Sequence, residues 1–171
     1  LVLLGMLGTF GGMVVALNGT GAALAGADGL DAMRDALSAP VRGLGLAFSY
    51  SFVTYAATVV EVEVDAQGQV KVLAVDMALD CGPQINPERI RAQMQGGVIM
   101  GLSLAMASEI TFEKGRVVQS NFHDYEVLRH AQQPGAIRTH LVGDNLEVPP
   151  GGVGEPPLPA VAPALANAIF A

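Results

Sequence analysis

The stretch TYAATVVEVEVD, residues 54–65, decides the fold class because its apolar and charged residues alternate. Three valines at alternate positions would lie on one face of a strand, and Glu61 and Glu63 on the other. A solvent-facing row of acids is a simpler interpretation of these two glutamates than a paired set of catalytic carboxylates. The pattern therefore predicts a strand with one buried and one wet face.

The segments around this strand extend the prediction of a sheet. Residues 66–69 (AQGQ) are typical of a hairpin turn, so residues 70–79 should form the returning strand. Other segments suit extended structure as well: residues 44–51, a second hairpin with strands at 109–112 and 117–118 around the turn 113–116, and residues 137–142.

A loop at residues 80–86 runs into a predicted helix that reaches about Met106. Asn86 suits the N-cap, and Pro87 suits the first helical position. Apolar residues at helical spacing predict one buried stripe, made of Ile90, Met94, Val98 and Leu102.

Three glycines interrupt this helix, at positions 96, 97 and 101. Each costs roughly 1 kcal/mol relative to alanine, so we expect a neighbour to pack closely against that face. Spacing alone favours another stretch of backbone as this neighbour, and a bulky cofactor is the alternative.

Glu155 is the one charge in PPGGVGEPP, residues 149–157. Glycines before it permit close approach, and prolines after it stiffen the turn. The apolar residues 158–171 predict a terminal helix, so Glu155 is either a partner of the helix dipole or a working acid or base. Strand pairs, a central glycine-interrupted helix and a terminal helix together predict an α+β fold.

Composition limits the function. The 171 residues are 51% apolar and only 15% charged, which suggests a well-buried piece of a larger body. A formal charge of −7 argues against nucleic-acid binding. The single cysteine, Cys81, excludes an internal disulfide or a Cys-ligated iron–sulfur cluster. His123, His130 and His140 lack helical pairing, which argues against a zinc site.

The first 27 residues carry no charge, and the chain begins with Leu1, which predicts a fragment or a processed product. We expect residues 1–38 to be an opening with a short helix at 28–37, followed by a domain at 39–171. Residues 1–17 approach the length of a spanning helix, but their four glycines weaken that interpretation. A buried core segment or a stretch without fixed structure are the alternatives.

Three ordered motif blocks resemble one known family. They are DCG with INP and RAQMQGG at residues 80–97, GRVVQSNFHDY at 115–125, and GGVGEP with PALANAIFA at 151–171. Together they resemble the C-terminal part of the large, molybdopterin-binding subunit of xanthine oxidase-type molybdenum hydroxylases. The isoquinoline 1-oxidoreductase and aldehyde dehydrogenase branch is the most similar, and the likeness runs from about Pro40 onward.

The resemblance implies an oxidoreductase that hydroxylates an aldehyde or N-heterocycle carbon with oxygen from water. Glu155 matches the general base that deprotonates the Mo–OH group, and partial desolvation among apolar and glycine residues would make it a stronger base. Gln93 matches a residue that hydrogen-bonds the pterin, and Gly96 and Gly97 would allow close approach of that cofactor. The implied cofactor is molybdenum–molybdopterin, in the cytosine dinucleotide form.

The implied partners are a small [2Fe–2S] subunit and the remainder of the large subunit. The resemblance assigns no role to residues 123–125, for which structural hydrogen bonding is the simpler account. Cys81 is expected to be a small buried residue rather than a ligand or nucleophile. The family's other cofactor loops are not recognisable, so the chain alone is expected to be inactive. A non-catalytic remnant or assembly module is the alternative.

Overall fold

The computed structural model describes residues 40–170. The predicted short helix at 28–37 and the apolar segment at 1–17 lie outside the described residues. The predicted boundary between an opening segment and a domain lies outside them too.

A four-stranded sheet forms the centre of the described chain. Its strands are β1 (Val41–Ser51), β2 (Thr54–Val64), β3 (Val70–Asp80) and, after two short strands, β6 (Ala136–Leu141). The strand order is β1-β2-β3-β6, with antiparallel pairing among the first three and parallel pairing of β6 with β3. The predicted α+β fold is confirmed.

The alternation in β2 has the predicted consequence. Val60 and Val62 are fully buried, whereas Glu61 and Glu63 are only partly covered and lie 3.9 and 3.6 Å from the Arg42 guanidinium. At the β2–β3 turn, the Asp65 carboxylate accepts hydrogen bonds from the backbone N–H groups of residues 67 and 69. These hydrogen bonds stabilise the predicted turn, in which Gly68 has a positive φ of 78°.

Helix α1 (Pro87–Met106) follows β3 in the chain and packs against β6 and the terminal helix. Asn86 is the N-cap, since its side-chain oxygen accepts a hydrogen bond of 3.1 Å from the Arg89 N–H. The predicted apolar stripe is buried, as the low exposure of its four members shows: Ile90, Met94, Val98 and Leu102.

Helix α2 (Val161–Ile169) lies across β1 and β2. Gly43 and Gly45 make this close contact possible, because a Cβ at either position would overlap a carbonyl oxygen of α2. The Asn167 amide also donates a hydrogen bond of 2.9 Å to the Leu46 carbonyl. The predicted terminal helix is therefore present and begins at Val161.

The second predicted hairpin is shorter than expected. It consists of β4 (Phe112–Glu113) and β5 (Arg116–Val117), so the turn contains two residues rather than four. Lys114 and Gly115 both have positive φ, which is typical of the tightest hairpin turns. Sequence reasoning also missed that the strand near residue 137 joins the main sheet. Within residues 40–170, no helix combines the length and apolar character needed to cross a bilayer.

Candidate active-site loop

The segment at residues 149–157, which we call the glycine–proline loop, is fastened to the sheet by backbone hydrogen bonds. The Gly151 N–H donates to the Cys81 carbonyl at 2.9 Å, and the Gly152 N–H donates to the Phe52 carbonyl at 2.8 Å. The Thr54 hydroxyl donates to the Gly152 carbonyl at 2.7 Å. Two separate parts of the sheet therefore hold the residues that lead to Glu155.

Glycine is required at both anchored positions by crowding. A Cβ at Gly151 would overlap the Thr54 hydroxyl oxygen and lie 2.8 Å from the Val53 carbonyl oxygen. A Cβ at Gly152 would lie 2.7 Å from the Phe52 Cβ, closer than such atoms approach. These contacts account for the two glycines without any ligand.

Downstream, the loop passes through turns into α2. Pro156 is fully buried, and its carbonyl accepts a hydrogen bond of 3.4 Å from the Ser49 hydroxyl. The Leu158 N–H then donates to the Glu155 carbonyl at 3.0 Å. Glu155 thus lies between anchored glycines and a buried proline, on backbone fixed from both sides.

Glu155 itself is exposed among the described residues. The first turn of α2 contains no acidic residue, and dipole interactions fade beyond the first turn of a helix. Glu155 precedes α2 in the chain and lies outside this first turn. The partial desolvation expected for this carboxylate is not provided by residues 40–170, so any cover over it must come from elsewhere.

Gln93 lies on α1 beside the glycine–proline loop. Its side-chain nitrogen is 3.2 Å from the position that a Cβ on Gly154 would occupy. The side chain is exposed, so the amide can offer both a donor and an acceptor. The structure therefore brings Gln93 next to the residue that precedes Glu155, although the two predicted site residues are distant in the sequence.

The helix glycines divide into two kinds. A Cβ on Gly97 would lie 2.7 Å from the Pro157 Cβ, and one on Gly101 would lie 2.6 Å from the Val161 Cβ. The predicted backbone neighbour is present at Gly97, where backbone atoms of Pro157 and Leu158 also lie 3.4 and 3.5 Å from the added Cβ, whereas the neighbour of Gly101 is the Val161 side chain. Contact of the buried Gly97 with a cofactor stays a prediction, and the glycine has a packing reason of its own.

Gly96 has no described atom within 4 Å of an added Cβ. It lines an open groove of about 960 Å³ between α1 and residues 122–137, with Phe122 and Tyr125 on the opposite side. Neither Gln93 nor Glu155 lines this groove. The predicted cofactor residues therefore face two different regions, with Gln93 beside the glycine–proline loop and Gly96 over the groove.

The polar loop at residues 120–125 is held together by its own atoms. The Asp124 carboxylate accepts hydrogen bonds of 2.9–3.1 Å from the N–H groups of Asn121 and Ser120 and from the Ser120 hydroxyl. These bonds, with the neighbouring His123, hold the pKa of Asp124 below its usual range. The simpler account of residues 123–125, structural hydrogen bonding, agrees with this arrangement for Asp124.

Cys81 is buried, as predicted, with 2% of its surface exposed. Burial raises the pKa of its thiol, as do the nearby carboxylates Asp80 and Asp144, so the neutral thiol is favoured. The backbone carbonyl of Cys81, rather than its thiol, contacts the glycine–proline loop, since it accepts the hydrogen bond from the Gly151 N–H. In the described part of the chain, no group of three His, Cys, Asp or Glu residues could hold a metal ion.

The family model described as "Molybdopterin cofactor-binding domain" matches residues 39–134. The beta subunit of isoquinoline 1-oxidoreductase from Brevundimonas diminuta is 37% identical over 126 residues, which cover 73% of this chain. The chain belongs to the xanthine oxidase-type molybdenum hydroxylase family. It spans 16% of the length of that Brevundimonas protein.

Other members of the family agree in sequence and in structure. A nicotinate dehydrogenase subunit of Pseudomonas putida is 36% identical over 68% of this chain and 10% of that protein. The solved structure of aldehyde oxidoreductase from Desulfovibrio gigas superimposes with a TM-score of 0.58 at 26% identity. That match covers 68% of this chain and 13% of the other. The molybdopterin-binding fold predicted from the motifs is therefore confirmed.

Gln93 and Gly96 satisfy simple requirements of a molybdopterin. A flat ring system with polar edges needs hydrogen-bonding groups and surface that it can approach closely. The exposed Gln93 amide provides the first, and the open space above Gly96 provides the second. Gly97 does not offer such space, because Pro157 covers it.

Sequence reasoning missed the residues that hold the glycine–proline loop. The turn Phe52–Val53 lies between two predicted strands and Thr54 begins the second, but neither turn residue is a type that tight hairpins favour. Both have positive φ, at 49° and 62°. The sequence signal that could have revealed this turn was the two-residue gap between the predicted strands, because so short a gap requires a tight turn.

Proposed function

We propose that this chain forms part of a molybdopterin-dependent oxidoreductase that hydroxylates an aldehyde or N-heterocycle carbon with oxygen from water. The observation that carries the proposal is the glycine–proline loop, which is anchored at the sheet and brings Gly154, the residue before Glu155, beside Gln93. The names of the relatives, an isoquinoline and a nicotinate enzyme and an aldehyde oxidoreductase, support this substrate range.

Glu155 acts as the general base. Its carboxylate takes up the proton of the water-derived nucleophile while the new C–O bond forms. A positioned base of this kind typically contributes 10²–10⁴-fold to the rate. The rigid backbone on both sides of Glu155 favours this role, because a base must reach the proton at hydrogen-bonding distance.

Gln93 holds the cofactor through its side-chain amide, and Gly96 admits it closely. The chemistry that molybdopterin supplies when bound is a two-electron oxidation. The overall balance is a substrate C–H bond plus water giving a C–OH group, two protons and two electrons. We propose that the cofactor is the cytosine dinucleotide form, and that the electrons leave through a small [2Fe–2S] partner subunit.

Turnover by the assembled enzyme that contains this chain tests the role of Glu155. The variant Glu155→Gln keeps the size of the side chain but removes its basicity, so we expect kcat to fall at least about 100-fold. Glu147→Gln is the matched control, since Glu147 is another exposed glutamate shortly before the glycine–proline loop. Molybdenum content, measured for each variant, separates loss of the base from loss of the cofactor.

A substrate panel of an aromatic aldehyde, isoquinoline and nicotinate distinguishes the substrate classes. If Glu155→Gln turns over every compound at the wild-type rate with normal molybdenum content, the base assignment is wrong. If the wild-type assembly oxidises none of them, the proposed substrate range is wrong.

The second candidate is a non-catalytic assembly module. The observation that favours it is the exposure of both Glu155 and Gln93, which lack a covering wall among the described residues. Binding of molybdopterin to the purified chain separates the two candidates, and titration of the pterin fluorescence measures that binding. Stoichiometric binding that Gln93→Ala weakens would count against the module.

A further inference from the structure

The end of the β1–β2 hairpin bears directly on the glycine–proline loop. Phe52 and Val53 form the turn, and both adopt left-handed backbone angles that bulky and β-branched residues rarely take. Strained backbone of this kind persists only where surrounding contacts hold it, and it is concentrated at functional sites. Here the Phe52 carbonyl accepts the hydrogen bond from Gly152, so the strained turn supports the loop.

Thr54, the residue after this turn, is fully buried. Its hydroxyl donates a hydrogen bond of 2.7 Å to the Gly152 carbonyl and packs where any side chain on Gly151 would lie. The hydroxyl therefore contacts two successive residues of the loop that leads to Glu155. This hydrogen bond is partly buried and its donor is fully buried, so removal of the hydroxyl leaves the Gly152 carbonyl without its partner on the sheet.

We propose that Thr54 is a positioning residue for Glu155. It touches neither substrate nor cofactor in this account and acts only through Gly151 and Gly152. Its hydroxyl fixes the peptide plane at Gly152, and this plane sets the direction in which the chain continues through Val153 and Gly154 to the carboxylate. The inference rests on the proposed role of Glu155 as the base.

Thr58 provides an internal comparison on the same strand. It is also fully buried, but its hydroxyl has no hydrogen-bond partner among the described residues. If β2 needed buried threonines only for packing, replacing either Thr54 or Thr58 by valine would affect turnover equally. The positioning role predicts that only the Thr54 substitution lowers turnover.

Three variants in the assembled enzyme test this role: Thr54→Val, which keeps the shape, Thr54→Ser, which keeps the hydroxyl, and Thr58→Val, the matched control. We expect Thr54→Val to lower kcat about 10- to 100-fold with KM within about twofold, because small displacements of a catalytic group cost rates of this size. Thr54→Ser should restore kcat to within about threefold of wild type. Thr58→Val should change kcat by less than about twofold.

Amide hydrogen exchange provides a readout that does not depend on turnover. The N–H groups of Gly151 and Gly152 should exchange at least about tenfold faster in Thr54→Val, and at the wild-type rate in Thr58→Val. Wild-type exchange and wild-type kcat in Thr54→Val would overturn the positioning role, whatever Glu155→Gln does. If Glu155→Gln retains full turnover while the exchange result holds, the proposed base fails and Thr54 is only an anchor of the loop.

Discussion

The glycine–proline loop and the polar loop at residues 120–125 differ in what holds them. The polar loop contains more hydrogen-bonding side chains, but Asp124 uses them to close the loop on itself. The glycine–proline loop has one charge, and its backbone is bonded to Phe52 in the β1–β2 turn, to Thr54 of β2 and to Cys81 directly after β3. Long-range anchoring, rather than polar content, distinguishes the loop for which we propose a catalytic role.

A weakly polar segment can hold a charged side chain in a fixed position when its backbone is bonded to distant parts of the fold. A base must be held within a fraction of an ångström of its productive position, and a loop fixed only by its own atoms moves as a body relative to the sheet. Hydrogen bonds to β2, to the β1–β2 turn and to the residue after β3 remove this freedom for the glycines that lead to Glu155. The groove that Gly96 lines is also lined by Phe122 and Tyr125 of the polar loop.

Among the variants that leave Glu155 in place, the largest expected effect comes from Gly151→Ala. The added methyl would overlap the Thr54 hydroxyl, so we expect a loss of about 1–3 kcal/mol in the free energy of unfolding. Turnover should fall about 100-fold because the loop must shift. Thermal denaturation and steady-state kinetics of the assembled enzyme measure both quantities.

Gly115→Ala in the β4–β5 turn is the matched control for this variant. Gly115 has a φ of 79° and no described atom near an added Cβ. It should lose about 1 kcal/mol from backbone strain and keep its turnover. Equal losses of turnover in the two variants would mean that anchoring to the sheet does not distinguish the regions.

A smaller effect is expected from Gly96→Ala, which tests whether the groove takes part in cofactor binding. Alanine should stabilise α1 by up to about 1 kcal/mol, since the space above Gly96 is open. If molybdopterin approaches this position, cofactor content should nevertheless fall, as measured by molybdenum analysis. Unchanged cofactor content would mean that Gly96 does not contact the cofactor, and the groove would then give the polar loop no connection to the proposed site.

The smallest effect is expected from Asp124→Asn, with kcat within about twofold of wild type because this loop is not anchored to the site. Hydrogen exchange at Ser120 and Asn121 should still become faster at pH 7. The folded pKa of Asp124 lies below its unfolded value of 3.8, so its stabilisation is present above that pH. The difference in exchange between variant and wild type should therefore disappear as the pH falls through the folded pKa. A difference that persists in strong acid would contradict the assigned hydrogen bonds.

Local patterns predicted most of the sheet and both described helices. The alternation in residues 54–65 and the cap at Asn86 specify structure through near neighbours in sequence, so they are readable without the fold. The parallel pairing of residues 136–141 with β3 was not predicted, because it depends on how α1 crosses the sheet. The β4–β5 turn was misjudged because Lys114 adopts a backbone angle that its residue type seldom signals.

The candidate site was predictable to a similar extent. Motifs identified Glu155 and Gln93, and the structure brings the amide of one beside the loop of the other. The sequence explained the three glycines of α1 only in part. Gly97 and Gly101 allow close packing within the chain, whereas Gly96 has open space above it. Thr54 carries no motif at all, and its importance arises from a contact between residues far apart in the chain.

Single-turnover reduction of the assembled, molybdenum-loaded enzyme by saturating substrate is the most direct test of the central claim, that an anchored Glu155 is the base. The rate constant isolates the chemical step from cofactor loading and from later electron transfer. We predict that Glu155→Gln lowers it at least about 100-fold, with the apparent Kd for substrate unchanged. A rate constant equal to that of the wild type would contradict the account.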